Sequence, residues 1–329
     1  MSEMRFDPLT EQWTVLAPDR AKRPHVPSDS REHCPFCPGH EGMTPPDLLR
    51  VPAGDSGWRL RVVPNKYPVF RGPLPAKRHR DDAGFLSMET AGAHEVVIES
   101  PDHDWDLSAA TCEEARLLID AYRERYRALR ESQAAAVVIY RNRGERSGTS
   151  IQHPHSQVVA SPIVPPLIRQ HVNFAARHFD VYGQGLYHEV REKELKVGVR
   201  VVLENEGFVV FEPYAPKAPF ETWLLPRRHH ASFGDIDDDE VEALSEILPR
   251  TLRALDRALD RPHYNMLIQS APLEDEHLAY FLWHLRIVPR LGIPAGFELA
   301  TGISISPALP EEAAALLREA LQKEQDSTT

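Results

Sequence analysis

The run Gln152-His153-Pro154-His155-Ser156-Gln157-Val158-Val159-Ala160 predicts a strand that carries two histidines. A second histidine-bearing run, Phe281-Leu282-Trp283-His284-Leu285-Arg286-Ile287-Val288, occurs late in the chain. Each of the two follows an apolar strand, at 135–140 or 264–269, and each apolar strand follows an amphipathic helix. The helices are predicted at 113–129 and 241–259. The same order of elements at nearly the same spacing indicates an internal duplication.

The repeat extends to the strands before these helices. In the first half a strand at 94–99 carries a glutamate, and His103 follows that glutamate by eight residues. In the second half the strand at 220–225 also carries a glutamate, and His229 again follows by eight. Short strands, extended connections and one helix per half predict an α+β fold of two duplicated halves, with a mostly antiparallel sheet flanked by helices.

We place the boundary between the halves in the proline-rich stretch 161–166. The N-terminal half, 1–165, then holds the two cysteines of a C-P-F-C motif and the H-P-H motif. The C-terminal half, 166–329, is a degenerate repeat whose chemistry differs from that of the first.

Composition excludes several classes of protein. The 329 residues include 38 Lys and Arg against 49 Asp and Glu, which is a net charge of −11, and 42% are hydrophobic. Such a balance excludes intrinsic disorder, collagen and coiled coil, and it argues against nucleic acid or an anionic membrane as the main partner. Because the sequence contains no run of about 18 apolar residues and opens on charge, we expect a cytoplasmic protein without a membrane span.

The H-P-H-S-Q motif is the candidate catalytic centre. His153 and His155 would share a face of a regular strand, but Pro154 cannot donate to a ladder and lets the two rings diverge. The polar loop 142–150 before them is suited to binding a phosphate, with Gly148, Thr149 and Ser150 as candidate contacts. A histidine beside phosphate-binding donors predicts nucleophilic phosphoryl-type transfer, with Gln157 as a further donor. The alternative is a pair of half-buried strand histidines without a catalytic role.

Cys34 and Cys37 are either a metal knuckle or a redox pair. Zinc in a closed site requires four Cys or His ligands, and His103 and His153 are the candidates that would complete the set. The flanking prolines favour the knuckle, and no helix starts there to activate a thiol. The rival histidine ligands are His33, His40 and His94.

Ordered motifs along nearly the whole chain resemble the galactose-1-phosphate uridylyltransferase family, a branch of the histidine triad superfamily. These motifs are Arg5-Phe6-Asp7-Pro8-Leu9-Thr10, Arg20-Ala21-Lys22-Arg23-Pro24, C-P-F-C at 34–37, Val63-Pro64-Asn65, Ser100-Pro101-Asp102-His103, H-P-H-S-Q at 153–157, Pro219-Phe220-Glu221-Thr222 and Gly296-Phe297-Glu298.

The resemblance implies a ping-pong reaction on a nucleotide sugar and a sugar phosphate. His155 would attack the α-phosphorus of UDP-glucose, glucose 1-phosphate would leave, and galactose 1-phosphate would take the nucleotidyl group from the histidine. It further implies a homodimer and a zinc ion on Cys34, Cys37, His103 and His153. The matching substrate contacts are Ser150 and Gln157 at the phosphate, Arg20, Arg23, Asn65 and Asn142 at the nucleotide and diphosphate, and Phe297 and Glu298 at the sugar.

The chain also departs from the family pattern. Some members hold a second metal on a His-x-His strand, whereas here the strand is His284-Leu285-Arg286 and Gln269 stands at another ligand position, so we predict no second metal. Arg286 is expected to mirror His155 and to mark a half that lost catalysis. The tail 296–307 and the lost second metal site also resemble ADP-glucose phosphorylases, in which phosphate takes the nucleotidyl group. A histidine-triad nucleotide hydrolase or binding protein is the remaining alternative.

Overall fold

The computed structural model describes residues 2–22, 31–54 and 57–328. The described chain combines strands and helices in an α+β fold. The strands are β1 (Glu3–Asp7), β2 (Gln12–Leu16), β3 (Leu49–Val51), β4 (Leu60–Pro64), β5 (Arg78–Arg80), β6 (Leu86–Glu89), β7 (Ala93–Ile98), β8 (Ala136–Arg143), β9 (His155–Ser161), β10 (Val201–Glu204), β11 (Phe208–Phe211), β12 (Thr222–Pro226), β13 (Tyr264–Gln269) and β14 (His284–Pro289). The helices are α1 (Cys112–Arg130), α2 (Pro166–Tyr182), α3 (Leu186–Val197), α4 (Asp238–Leu259), α5 (Gly296–Thr301) and α6 (Pro310–Thr328). Within the described ranges, none of these helices is long and apolar enough to cross a membrane.

One antiparallel sheet of ten strands joins the two halves. Its central pair is β8 with β13, in which Arg143 lies opposite Tyr264. From this pair the strands run outward as β9, β7, β4 and β3 on one side and as β14, β12, β11 and β10 on the other. Because the two series repeat the same order of elements, the duplication is confirmed. A separate sheet, in the order β2-β1-β6-β5, was not predicted.

Pairing register shows which residues of the two halves are equivalent. His155 and His284 are the first residues of β9 and β14, and each places Nδ1 near the carbonyl oxygen two residues earlier, at 2.9 Å and 3.0 Å. Gln157 and Arg286 each lie two residues further along. The expectation that Arg286 mirrors His155 is therefore wrong: Arg286 is the equivalent of Gln157, and His284 is the equivalent of His155.

Helices α1 and α4 pack against each other and against one face of the large sheet. Each begins with a capping box, at Thr111 for α1 and at Asp237 for α4, which satisfies the exposed N–H groups of the first turn. The same face carries a polar network behind β9. The Tyr122 hydroxyl donates to Ser156 Oγ at 2.7 Å, and Arg141 Nε donates to Glu99 Oε2 at 2.9 Å. The opposite face of β9 is thereby left for the site.

Glu212, just after β11, is a fully buried acid. Thr222 donates its hydroxyl to Glu212 Oε1 at 2.8 Å, and Oε2 has no hydrogen-bond partner among the described residues. Burial raises the pKa of Glu212 to about 8, and nearby Glu221 adds to the rise. The side chain is therefore protonated at neutral pH in the folded protein.

We expect Glu212 to make the folded protein less stable as the pH rises from about 5 to 8. Over this range the unfolded chain releases the proton while the folded chain keeps it, so the free energy of unfolding falls, by about 4 kcal/mol at pH 8. Glu212→Gln removes this contribution. Urea unfolding of both proteins at pH 5 and pH 8 measures it, and an equal pH-dependent fall in the two proteins would contradict the assignment.

Candidate active site

A cavity of about 620 Å³ opens on the face of the sheet opposite α1 and α4, beside the first residues of β9. Its wall combines aromatic side chains such as Phe36 and Tyr67 with polar groups from β8, β9 and the loop between them. Eight of the predicted site residues line it: Arg20, Asn65, Asn142, Gly148, Thr149, Ser150, His155 and Gln157. The structure thus brings together residues from five separate stretches of the first half.

His155 is held in the orientation that a nucleophile requires. Its Nδ1–H donates to the carbonyl oxygen of His153 at 2.9 Å. Because a carbonyl only accepts, and a neutral imidazole carries one proton, Nε2 carries the lone pair. The Phe36 ring packs edge-on against the imidazole with the centroids 5.3 Å apart. A fixed ring with a basic nitrogen at the cavity can attack an electrophilic phosphorus.

Gln157 follows on the same face of β9 as His155, because side chains two apart in a strand point the same way. The Tyr140 hydroxyl donates to Gln157 Oε1 at 2.9 Å, and His94 Nε2 lies 2.6 Å from the same oxygen. His94 thus lies beside Gln157. Tyr140 and this contact of His94 were not anticipated, because both depend on which strands are neighbours.

The loop before β9 is wound tightly at the cavity rim. Gly144 and Gly148 have φ of +80° and +87°, and a Cβ on Gly144 would lie 2.3 Å from the His263 ring. Glycine is required at Gly144 on both grounds. From the second half, Asn265 donates to Asn142 Oδ1 at 2.7 Å and to the Ser147 carbonyl at 2.9 Å. Asn265 of the C-terminal half therefore fixes, by two hydrogen bonds, the loop before β9 in the N-terminal half.

Cys34, Cys37, His103 and His153 form a cluster whose candidate ligand atoms all lie within 4.8 Å of one another. Cys37 Sγ is 3.3 Å from His103 Nδ1 and 3.6 Å from His153 Nδ1. His153 donates its Nε2–H to the carbonyl oxygen of Ser100 at 2.8 Å. That bond leaves the Nδ1 lone pair directed at the thiols, as the outer contacts of metal-bound histidines do. The cluster could hold a metal ion.

Burial shifts the pKa of two members of this cluster, Cys37 and His153. It raises the pKa of the Cys37 thiol to about 11, with the neighbouring Cys34 adding to the rise. It lowers the pKa of His153 to about 4, against the opposing effect of the Ser100 carbonyl. The His153 imidazole is therefore neutral and ready to ligate, whereas the Cys37 thiol needs a cation beside it to ionise.

The three rival histidines lie outside the cluster. His33 lines the cavity, His94 contacts Gln157, and the His40 ring donates from Nδ1 to the Cys34 carbonyl at 2.7 Å. The ligand set expected from the family resemblance, Cys34, Cys37, His103 and His153, is therefore the set whose candidate ligand atoms lie together.

Two predicted substrate contacts, Phe297 and Glu298, do not line the cavity. Arg23 lies outside the described residues. Phe297 and Glu298 lie on α5, where Phe297 is 51% exposed and the Glu298 carboxylate accepts the Ala295 N–H at 3.0 Å. In the described chain neither lines the cavity, so their role at a sugar stays a prediction.

The second half fills the space that corresponds to the cavity. Trp223 stacks on the fully buried His284 ring, with centroids 4.9 Å apart and planes 10° apart, and Gln269 Oε1 is 3.0 Å from His284 Nε2. Burial lowers the pKa of His284 to about 3. Arg286 donates to Glu221 Oε1 at 2.5 Å. The histidine equivalent to His155 is therefore packed into the core.

Two family models match the chain from near one end to the other. The model of the galactose-1-phosphate uridyl transferase N-terminal domain matches residues 1–165, and the model of the C-terminal domain of the same family matches residues 168–326. An ADP-glucose phosphorylase of Arabidopsis thaliana is 33% identical over 96% of this chain and 92% of its own length. A galactose-1-phosphate uridylyltransferase of Thermotoga maritima is 28% identical over 97% and 98%.

Solved structures of a uridylyltransferase and of an ADP-glucose phosphorylase are similar to this chain along nearly its whole length. A uridylyltransferase structure superposes with a TM-score of 0.83 at 31% identity, covering 98% of this chain and 99% of its own. The Arabidopsis thaliana ADP-glucose phosphorylase with bound ADP-glucose superposes with a TM-score of 0.77 at 33% identity, covering 97% and 99%.

Proposed function

Because the chain belongs to the galactose-1-phosphate uridyl transferase family, we propose that it transfers a nucleotidyl group from a nucleotide sugar to a phosphate-bearing acceptor through a covalent intermediate on His155. The proposal rests mainly on the hydrogen bond from His155 Nδ1–H to the His153 carbonyl oxygen at the edge of the cavity. This hydrogen bond presents Nε2 as a nucleophile and supports the positive charge that develops on the ring.

In the first step Nε2 of His155 attacks the α-phosphorus of the nucleotide sugar. The N–P bond forms as the bond from the α-phosphorus to the bridging oxygen breaks, and the sugar 1-phosphate leaves with that electron pair. In the second step a phosphate oxygen of the acceptor attacks the same phosphorus and the N–P bond breaks. Gln157 and Ser150, together with the loop donors Gly148 and Thr149, are suited to stabilise the charge on the phosphoryl oxygens.

We assign the nucleotide and diphosphate to the rest of the cavity wall. Asn65 and Arg20 meet at Tyr67, where Asn65 Oδ1 accepts the Tyr67 N–H at 2.8 Å and Arg20 donates to the Tyr67 carbonyl at 2.5 Å. Asn142 lies at the loop end of the same wall. The homodimer and the sugar-binding role of Phe297 and Glu298 are proposals that rest on the family resemblance.

We propose zinc as the ion of the Cys34, Cys37, His103 and His153 cluster. Two thiolates with two imidazoles are the donor set that zinc favours in closed structural sites. When bound, zinc supplies four coordinate bonds that fix these residues. The protein's own part is to hold His153, whose carbonyl in turn orients His155.

Two acceptor reactions fit the site. The first candidate is transfer of uridylyl from UDP-glucose to galactose 1-phosphate, which gives glucose 1-phosphate and UDP-galactose. The second is transfer of adenylyl from ADP-glucose to phosphate, and the 33% identity to the Arabidopsis thaliana phosphorylase favours it. Hydrolysis, in which water takes the nucleotidyl group, is a third outcome of the same intermediate.

We expect the wild-type protein to become labelled on His155 when it is incubated with UDP-glucose in the absence of an acceptor. Intact mass measurement under non-acidic conditions distinguishes a uridylyl adduct from an adenylyl adduct formed with ADP-glucose. Discharge of the uridylyl adduct by galactose 1-phosphate supports the first candidate. An adduct from ADP-glucose alone, discharged by phosphate, replaces it with the second, and no adduct from either substrate would refute covalent catalysis.

A further inference from the structure

His94 lies on β7, beside β9, and is buried at the back of the site without lining the cavity. Its Nε2 is 2.6 Å from Gln157 Oε1. We propose that His94 is a positioning residue that fixes the Gln157 side-chain amide with its N–H groups turned toward the reacting phosphoryl group. The proposal deepens the nucleotidyl transfer proposed above and rests on it.

The tautomer of His94 follows from its other ring nitrogen. The backbone N–H of Val69 donates to His94 Nδ1 at 3.0 Å. A backbone amide only donates, so Nδ1 carries the lone pair and the proton of the neutral ring is on Nε2. This N–H requires an acceptor, and Gln157 must present its oxygen there.

The neighbouring side chains support the same orientation. The Tyr140 hydroxyl also donates to Gln157 Oε1, at 2.9 Å. Asn65 cannot supply an acceptor to His94, because its oxygen accepts the Tyr67 N–H at 2.8 Å and its amide nitrogen, which only donates, lies 3.2 Å from the same Nε2. Gln157 Oε1 is the closer contact of Nε2, at 2.6 Å, and the one that the Val69 hydrogen bond to Nδ1 allows. A rotated Gln157 amide would set its NH₂ group against the His94 N–H and lose that hydrogen bond, whereas the Tyr140 hydroxyl can either donate or accept.

The orientation matters because Gln157 and His155 lie on one face of β9 and both line the cavity. With the amide oxygen occupied, the two N–H groups are directed at the space in front of His155. There they can stabilise negative charge on the phosphoryl oxygens as the N–P bond forms. The opposite orientation would place a carbonyl dipole against that charge, so His94 influences the rate without touching the substrate.

The second half shows the same geometry between equivalent residues. Glu221 and Arg286 hold the positions of His94 and Gln157, and Glu221 Oε1 accepts from Arg286 Nη2 at 2.5 Å and from Nε at 3.0 Å. In both halves, therefore, the chain on the outer side of the histidine strand, at β7 or just before β12, supplies the group that orients the side chain two residues after the histidine.

Two substitutions of His94 test whether the N–H donor at Nε2, rather than the ring as a whole, orients Gln157. The amide of His94→Gln reaches the position of Nε2 and keeps a donor there, whereas the amide of His94→Asn reaches only the position of Nδ1. We expect His94→Asn to slow single-turnover formation of the nucleotidyl-enzyme about 10- to 100-fold. We expect His94→Gln to stay within about threefold of wild type, and the Kd for the nucleotide sugar to stay within about threefold in both.

A double-mutant cycle shows whether His94 acts through Gln157. In a Gln157→Ala protein, His94→Asn is expected to slow the reaction less than about twofold further. A full additional loss would overturn the proposal, and so would equal losses in His94→Asn and His94→Gln beside a normal wild type. A wild-type protein that forms no adduct refutes the proposed function instead.

The tautomer gives a readout that needs no activity. ¹⁵N spectra of histidine-labelled protein, with the His94 signals identified by their loss in His94→Asn, should show the form protonated at Nε2. A proton on Nδ1 would overturn the proposal even in an active transferase.

Discussion

Replacing His155 with asparagine is expected to lower the rate of nucleotidyl transfer by at least about four orders of magnitude, because the pathway through the covalent intermediate is lost. The asparagine amide can still donate to the His153 carbonyl as Nδ1–H does, so the backbone tie at the start of β9 is kept. The Kd for the nucleotide sugar is expected to change less than about threefold, since the cavity wall remains. Single-turnover labelling and calorimetric titration measure the two quantities.

His79→Asn is the matched control for this variant. His79 lies on β5 in the separate four-stranded sheet and is exposed to solvent, outside the cavity lining. The same chemical change there should leave labelling at the wild-type rate. Retention of transfer by His155→Asn, or an equal loss in both variants, would refute the assignment of His155 as the nucleophile.

The duplication and the cysteine half of the metal cluster could be predicted because they depend on features that are local in the sequence, whereas the two histidine ligands were singled out by the family resemblance. Apolar periodicity places α1 and β13 almost at their observed bounds, 112–130 and 264–269. The spacing of Cys34 and Cys37 marks a knuckle whatever the rest of the fold is. The divergence of the two H-P-H rings follows from Pro154, since β9 begins only after it.

Features that depend on strand pairing could not be predicted in the same way. The runs 152–160 and 281–288 look uniformly strand-like, but β9 and β14 begin only at His155 and His284, and the equivalence of these two histidines is seen only from the strand starts and pairing. The neighbours of His94 depend on the pairing of β7 with β9, which no local pattern encodes. Helices α2 and α3, at 166–182 and 186–197, also show that one helix per half was too few.

Cys37→Ser is expected to remove the metal ion and to destabilise the fold near the nucleophile. The metal content should fall from about one ion per chain to near zero, and the free energy of unfolding should fall by at least about 3 kcal/mol, because the ion stabilises only the folded state. Formation of the nucleotidyl-enzyme should slow as well, since His153 orients His155 through its carbonyl. Elemental analysis, urea unfolding and single-turnover labelling measure these three effects.

Cys112→Ser provides the matched control, because Cys112 is an exposed cysteine at the start of α1 and lies outside the cluster. The same exchange of sulfur for oxygen there should leave metal content, stability and labelling unchanged. Metal retained at the wild-type level in Cys37→Ser would contradict the ligand set. Loss of the ion with an unchanged labelling rate would show that His155 is held by β9 and the polar network behind it, at Tyr122 and Ser156, rather than through His153.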